Sequence, residues 1–198
     1  MENGELFGEE YTLVAVADYI LQNKKGNTVS NLSSTRALRD VTEKAGGNYT
    51  ASAVGEVNVV EKMKKVGAVI GGEGNGGIIY PELHHGRDAL VGIALLLTYL
   101  AKRKIKLSKL RLEYPNYVIS KNKIELKPGM EVATYFERVI SHYSNYPIST
   151  IDGVKIDFPD GWVHLRTSNT EPIMRVYAES TSVEKAKKYA TEVIDLIK

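Results

Sequence analysis

At 198 residues the chain is long enough for one large domain or two small ones, and a hydrophobic content of 43% supports a packed core. Its 26 basic and 24 acidic side chains nearly cancel, which argues against a dedicated nucleic-acid binder. The absence of cysteine excludes disulfides and thiolate metal sites. No signal-peptide pattern opens the chain, and no apolar run approaches the roughly 20 residues of a membrane span, so the expectation is a cytoplasmic protein with no membrane partner.

In chain order, Asn3-Gly4 is a hairpin-turn signal whose preceding strand is missing, so residues 1–8 read as the tail of an earlier domain. Glu9–Gln22 carries Leu13, Val16, Ala17 and Ile20 at helical spacing, and Asn23-Lys24-Lys25-Gly26 ends it. A strand over Thr28–Leu32 precedes a helix, capped by Ser33 or Ser34, that runs to about Ala45. A strand over Tyr49–Ala53, a helix over Glu56–Lys65 and a buried strand over Val66–Ile70 follow. Strands alternating with helices predict a βαβ layer with a largely parallel sheet.

Gly72, Gly74 and Gly77 formally spell G-x-G-x-x-G, but strand-like Ile78-Ile79-Tyr80 follows where a dinucleotide motif needs a helix. What remains is a glycine-rich loop at the end of a buried strand, the usual ligand position in open α/β sheets, with Glu73 held in it. A plain turn is the competing reading. His84-His85-Gly86-Arg87-Asp88 leads into an apolar helix, Ala89–Leu100, expected to be buried on most sides. Asp88 suits that helix's N-terminus; a substrate-facing Arg87 or His85 is the alternative. Two adjacent histidines point different ways and make a poor metal pair. Lys102–Lys109 is basic without interleaved aromatics and reads as a solvated helix end and linker.

The remainder predicts a smaller α+β unit: a strand over Tyr117–Leu126, a helix over Glu131–Tyr143, a hairpin around Asp152-Gly153, and strands over Trp162–Leu165 and Met174–Ala178. Thr181-Ser182-Val183-Glu184 reads as a capping box before a last helix with Val183, Ala186, Ala190, Val193 and Ile197 on one face. Between the last two strands, Arg166-Thr167-Ser168-Asn169-Thr170-Glu171-Pro172, with Arg175 beyond, concentrates two guanidinium forks, hydroxyls and an amide. That set suits a tetrahedral oxyanion, phosphate above all. A polar hairpin with a surface Arg–Glu pair is the plainer reading.

Arg166–Arg175 meets every fixed position of R-x-S-x-T-E-P-x-x-R and resembles the phosphate-binding loop in the last domain of the α-D-phosphohexomutases, which include phosphomannomutase, phosphoglucomutase and phosphoglucosamine mutase. Gly72–Gly77 is similar to the sugar-recognition loop of their third domain, G-E-x-S-G-H, with Asn75 where serine is common and Gly77 where histidine is common. The resemblance covers essentially the whole chain and implies a mixed-sheet α/β domain over 9–105. It implies a smaller α+β domain over 106–198, a TATA-binding-protein-like sheet with helices on one face.

The resemblance further implies that Glu73 accepts bonds from adjacent sugar hydroxyls, with Asn75 beside it. Arg166, Ser168, Asn169 and Thr170 would contact phosphate, with Arg175 in support. The family's serine nucleophile and the three aspartates that hold Mg²⁺ have no counterpart here, so this piece is expected to carry no catalytic residue or metal ligand and to be inactive alone. The parent would interconvert 6-phospho and 1-phospho hexoses or hexosamines through a phosphoserine, with Mg²⁺ and a sugar bisphosphate activator, joined to the missing N-terminal domains. Val54-Gly55-Glu56 leans towards the phosphoglucosamine branch; phosphomannomutase or phosphoglucomutase is the alternative. A non-catalytic sugar-phosphate or nucleic-acid binding module is the alternative of another class.

Overall fold

In the computed structural model, which describes all residues except Pro128, Asn169 and Lys198, the chain forms two compact units, Met1–Pro115 and Asn116–Lys198. The division falls after Pro115 rather than at 105. Leu110 and Tyr114, which the sequence placed in the second domain, are buried in the first unit, where the Tyr114 hydroxyl donates to Asp18 at 2.9 Å.

The first unit runs α1 (Glu9–Asn23), β1 (Asn27–Asn31), α2 (Ala37–Lys44), β2 (Tyr49–Ser52), α3 (Glu56–Val66), β3 (Ala68–Glu73), β4 (Gly77–Ile79), α4 (Ala89–Arg103) and α5 (Leu107–Arg111). Its sheet has the order β2-β1-β3-β4; the first three strands are parallel and β4 returns antiparallel to β3. Thus the glycine-rich loop joins a hairpin, not a strand to a helix. A Cβ on Gly71 would point at Met63 of α3, and one on Gly72 at Leu13 of α1. Consecutive strand residues face opposite ways, so α1 and α3 cover opposite faces of β3. Helix α1 also packs against α2 and α4, so it buries Leu13, Val14, Ala15, Val16 and Ala17, more than a full turn.

Two expectations fail here. The helix after β1 is capped by neither Ser33 nor Ser34: it starts at Ala37, whose N–H is accepted by Thr35 Oγ1 at 3.3 Å, while Ser34 is drawn to Asn31 and Gly74. Helix α4 is not buried on most sides. Only Gly92 and Tyr99 are buried, while Leu90, Ile93 and Leu97 are 77%, 54% and 59% exposed. They recur at three- and four-residue spacing and so share one face.

The second unit runs β5 (Val118–Glu125), α6 (Val132–His142), β6 (Ile148–Ser149), β7 (Val154–Phe158), β8 (Gly161–Thr167), β9 (Ile173–Ser180) and α7 (Val183–Ile197). All neighbours in its sheet, β5-β9-β8-β7-β6, are antiparallel. Val163 and Leu165 of β8 join Met174, Val176 and Ala178 of β9 in a core with Val139 of α6 and Ala190, Val193 and Ile197 of α7. The intervening positions, Trp162, His164 and Arg166, take the other face. The cap of α7 sits one residue later than the capping box predicted: Ser182 Oγ, not Thr181, accepts the Lys185 N–H at 3.2 Å.

Candidate functional site

Strands β1, β2 and β3 end together at Asn31, Ser52 and Glu73, and the polar groups of the first unit converge there. Glu73 is 7% exposed. A carboxylate at that depth needs partners. Its Oε1 accepts from Asn31 Nδ2 at 3.0 Å and from the Gly55 N–H at 3.3 Å, and its Oε2 from Arg87 Nη1 at 3.1 Å. Arg87 also donates through Nε to Glu56 Oε2 at 2.8 Å and through its N–H to Glu56 Oε1 at 2.9 Å. These bonds from Arg87 hold the Glu56 carboxyl below its usual range.

The loop itself is tight. A Cβ on Gly72 would lie 2.0 Å from the Gly77 carbonyl oxygen, so only glycine allows this hairpin. Asn75 is exposed, and its Oδ1 accepts the Gly77 N–H at 3.1 Å, which leaves its amide NH₂ available. The Gly74 N–H donates to Ser34 Oγ at 3.0 Å, and Glu10 Oε2 accepts the Thr35 N–H at 2.8 Å. A cage of strand-end side chains therefore fixes one carboxylate at the rim of the sheet. Of the stretch 84–88, Asp88 caps α4 by accepting the Val91 N–H at 3.0 Å, as its position suggested. Arg87, the less obvious candidate in that stretch, reaches the loop.

In the second unit, Arg166 and Arg175 stand directly opposite each other on β8 and β9, and Arg175 stands opposite Lys123 on β5. Like charges in such a cross-strand position repel. Arg175 is partly relieved by Glu171, at 2.7 Å from Nη2, and by the Tyr177 hydroxyl, at 3.2 Å from Nη1. The buried Nε atoms of both Arg166 and Arg175 have no hydrogen-bond partner among the described residues. Two cationic side chains with buried, unanswered donors form a place that an anion would complete.

The loop between β8 and β9 is stapled internally. The Ser168 N–H donates to the Ile173 carbonyl at 2.9 Å, and the Thr170 N–H approaches Ser168 Oγ at 3.4 Å. Ser168 thus offers its hydroxyl, not its amide, to a ligand. Thr170 is exposed beside it, and the predicted contact at Asn169 lies outside the described residues. Sequence reasoning missed Lys123 and Asn31: only strand register reveals the first, and only the meeting of β1 with β3 the second.

Both units match domains of a single protein family. Residues 8–117 match the family described as phosphoglucomutase/phosphomannomutase, alpha/beta/alpha domain III, and residues 119–196 its C-terminal domain. A phosphoglucomutase/phosphomannomutase of Thermococcus kodakarensis is 34% identical over 99% of this chain and 43% of its own length. A phosphoglucosamine/phosphogalactosamine mutase of Sulfurisphaera tokodaii is 32% identical over 85% of this chain and 38% of its own. Among solved structures, a phosphoglucomutase/phosphomannomutase family protein of Burkholderia thailandensis shares the fold with a TM-score of 0.82 at 24% identity, over 99% of this chain and 42% of that one. The chain belongs to the phosphoglucomutase/phosphomannomutase family, and it spans less than half the length of the curated relatives it matches.

Proposed function

We propose that this chain is the substrate-recognising, carboxy-terminal part of a phosphohexomutase that interconverts 6-phospho and 1-phospho sugars, with phosphoglucosamine first and phosphomannose or phosphoglucose as the alternative. The observation that carries the reading is the Arg166–Arg175 pair, relieved by Glu171 on one side only and left with buried unpartnered Nε donors, which suits a phosphate that is held but not transferred. In this reading Arg166, the Ser168 hydroxyl and Thr170 grip that phosphate, while Arg175 exchanges part of its pairing with Glu171 for it. Glu73, fixed by Asn31 and Arg87, accepts from the sugar and orients the ring, and Asn75 offers its NH₂ at the loop tip.

Phosphoryl transfer also needs an activated nucleophile, assigned here to a serine in a preceding part of the parent. Mg²⁺, when bound by the parent, would offset charge on the transferring group. The residues here do not fit it: no three His, Asp or Glu side chains among the described residues gather to hold a metal. A sugar bisphosphate is the proposed activator. Among the described residues no helix is long and apolar enough to cross a membrane.

The test is turnover of glucosamine 6-phosphate with Mg²⁺ and a bisphosphate. A protein of the relatives' length should convert it, and Glu73→Gln should weaken sugar recognition while the fold persists. This chain alone should show no turnover. Conversion by it above a denatured control would mean that the chemistry lies in these residues and that the division of labour is wrong.

A further inference from the structure

Glu73 and Arg87 have unequal hydrogen-bond accounts. An ionised carboxylate offers about four acceptor positions, two on each oxygen. On Glu73, Oε1 is filled by Asn31 and Gly55, whereas Oε2 accepts only from Arg87 and keeps one position open. A guanidinium carries five N–H donors. Arg87 spends two, on Glu56 and Glu73, and the other three have no partner among the described residues. The open acceptor and the spare donors belong to side chains whose bonded atoms are 3.1 Å apart.

A group seated between them must donate to Glu73 and accept from Arg87. A hydroxyl does both. An ammonium group only donates, so it would leave the spare donors of Arg87 unanswered.

Gly77 makes the arrangement possible. A Cβ there would lie 2.6 Å from Arg87 Cδ, so any side chain at 77 would displace the arginine. The backbone of Arg87 is held too, by a bridge to Ile79 and by its N–H bond to Glu56. Position 77 and Arg87 compete for one space, and in this chain the arginine has it.

We propose that Arg87 is a substrate-contacting specificity residue that, paired with Glu73, selects a sugar hydroxyl. The proposal rests on the sugar-site reading given above.

The test is an NMR titration of the chain with glucose 6-phosphate, with its monodeoxy analogues and with inorganic phosphate. One deoxy analogue should bind wild type about tenfold more weakly than the parent sugar, the loss of one charge-assisted hydrogen bond. Arg87→Met should lose a similar factor for the parent sugar and then show no further loss with that analogue. Its response to inorganic phosphate near Ser168 should match wild type. Should Arg87→Met lose its folded spectrum, Arg87→Lys, which keeps the charge but not the fork, decides by the same comparison. Deoxy penalties unchanged in the arginine variant, with glucose 6-phosphate affinity lost in Glu73→Gln, overturn the role of Arg87 alone. No sugar-dependent shift at Gly72–Gly77 in wild type overturns the underlying sugar site.

Discussion

Replacing Arg166 by alanine separates two effects that act in opposite directions. Without ligand, the change removes one member of a like-charge cross-strand pair with Arg175. With Cβ atoms of such pairs roughly 5 Å apart and the charges no closer than that, in a solvent-like dielectric, that repulsion is at most about 1 kcal/mol. Losing the alkyl stem costs a similar amount, so stability in phosphate-free buffer should stay within about 1 kcal/mol of wild type. With phosphate, the variant loses a charge-assisted contact of about 2 kcal/mol, roughly 30-fold in affinity. For a wild-type Kd on the order of 10 mM, 50 mM phosphate would stabilise the folded state by about 1 kcal/mol; for the variant, about 0.1 kcal/mol. Urea denaturation in phosphate against ionic-strength-matched chloride measures this difference directly. Equal stabilisation of both proteins by phosphate would refute the reasoning, because the anion would then be bound elsewhere or not at all.

Asp18→Asn should cost about 2 kcal/mol, read as a lowered denaturation midpoint: Asp18 Oδ2 accepts from the hydroxyls of both Tyr99 (2.8 Å) and Tyr114 (2.9 Å), and an amide serves them less well. His164 is 1% exposed and gives its Nε2 proton to the Asp152 carbonyl at 2.6 Å, and burial pushes its pKa down to about 4. The depressed value means the unfolded chain takes up the proton first. Stability is therefore complete above about pH 6.5 and falls by about 3 kcal/mol as pH drops to 4, a slope that His164→Gln should flatten.

The alternation of strands and helices was legible because apolar period and glycine punctuation act locally. Ser33-Ser34 shows where local reading stops: a serine before a helical pattern has the look of a cap, yet Ser34 bonds to Gly74, 40 residues away in sequence. The phosphate loop was readable as a run of donors. That Arg166, Arg175 and Lys123 line up across three strands was not, because register is a property of the assembled sheet. Arg87 could be named but not weighted, since its worth lies in Glu56 and Glu73, which come from different elements. Helix α4 was misjudged for the converse reason: hydrophobicity states what a helix can bury, not what is present to cover it.

That uncovered stripe on α4 has a practical consequence for every solution measurement on the chain. Leu90, Ile93 and Leu97 offer water a contiguous greasy ridge two turns long, flanked by little charge of its own until Lys102 and Arg103. Such ridges promote reversible clustering as concentration rises. Sedimentation and line widths should therefore depend on loading, and apparent ligand affinities should be extrapolated to dilution. Leu97→Lys should abolish that dependence while leaving both loops untouched.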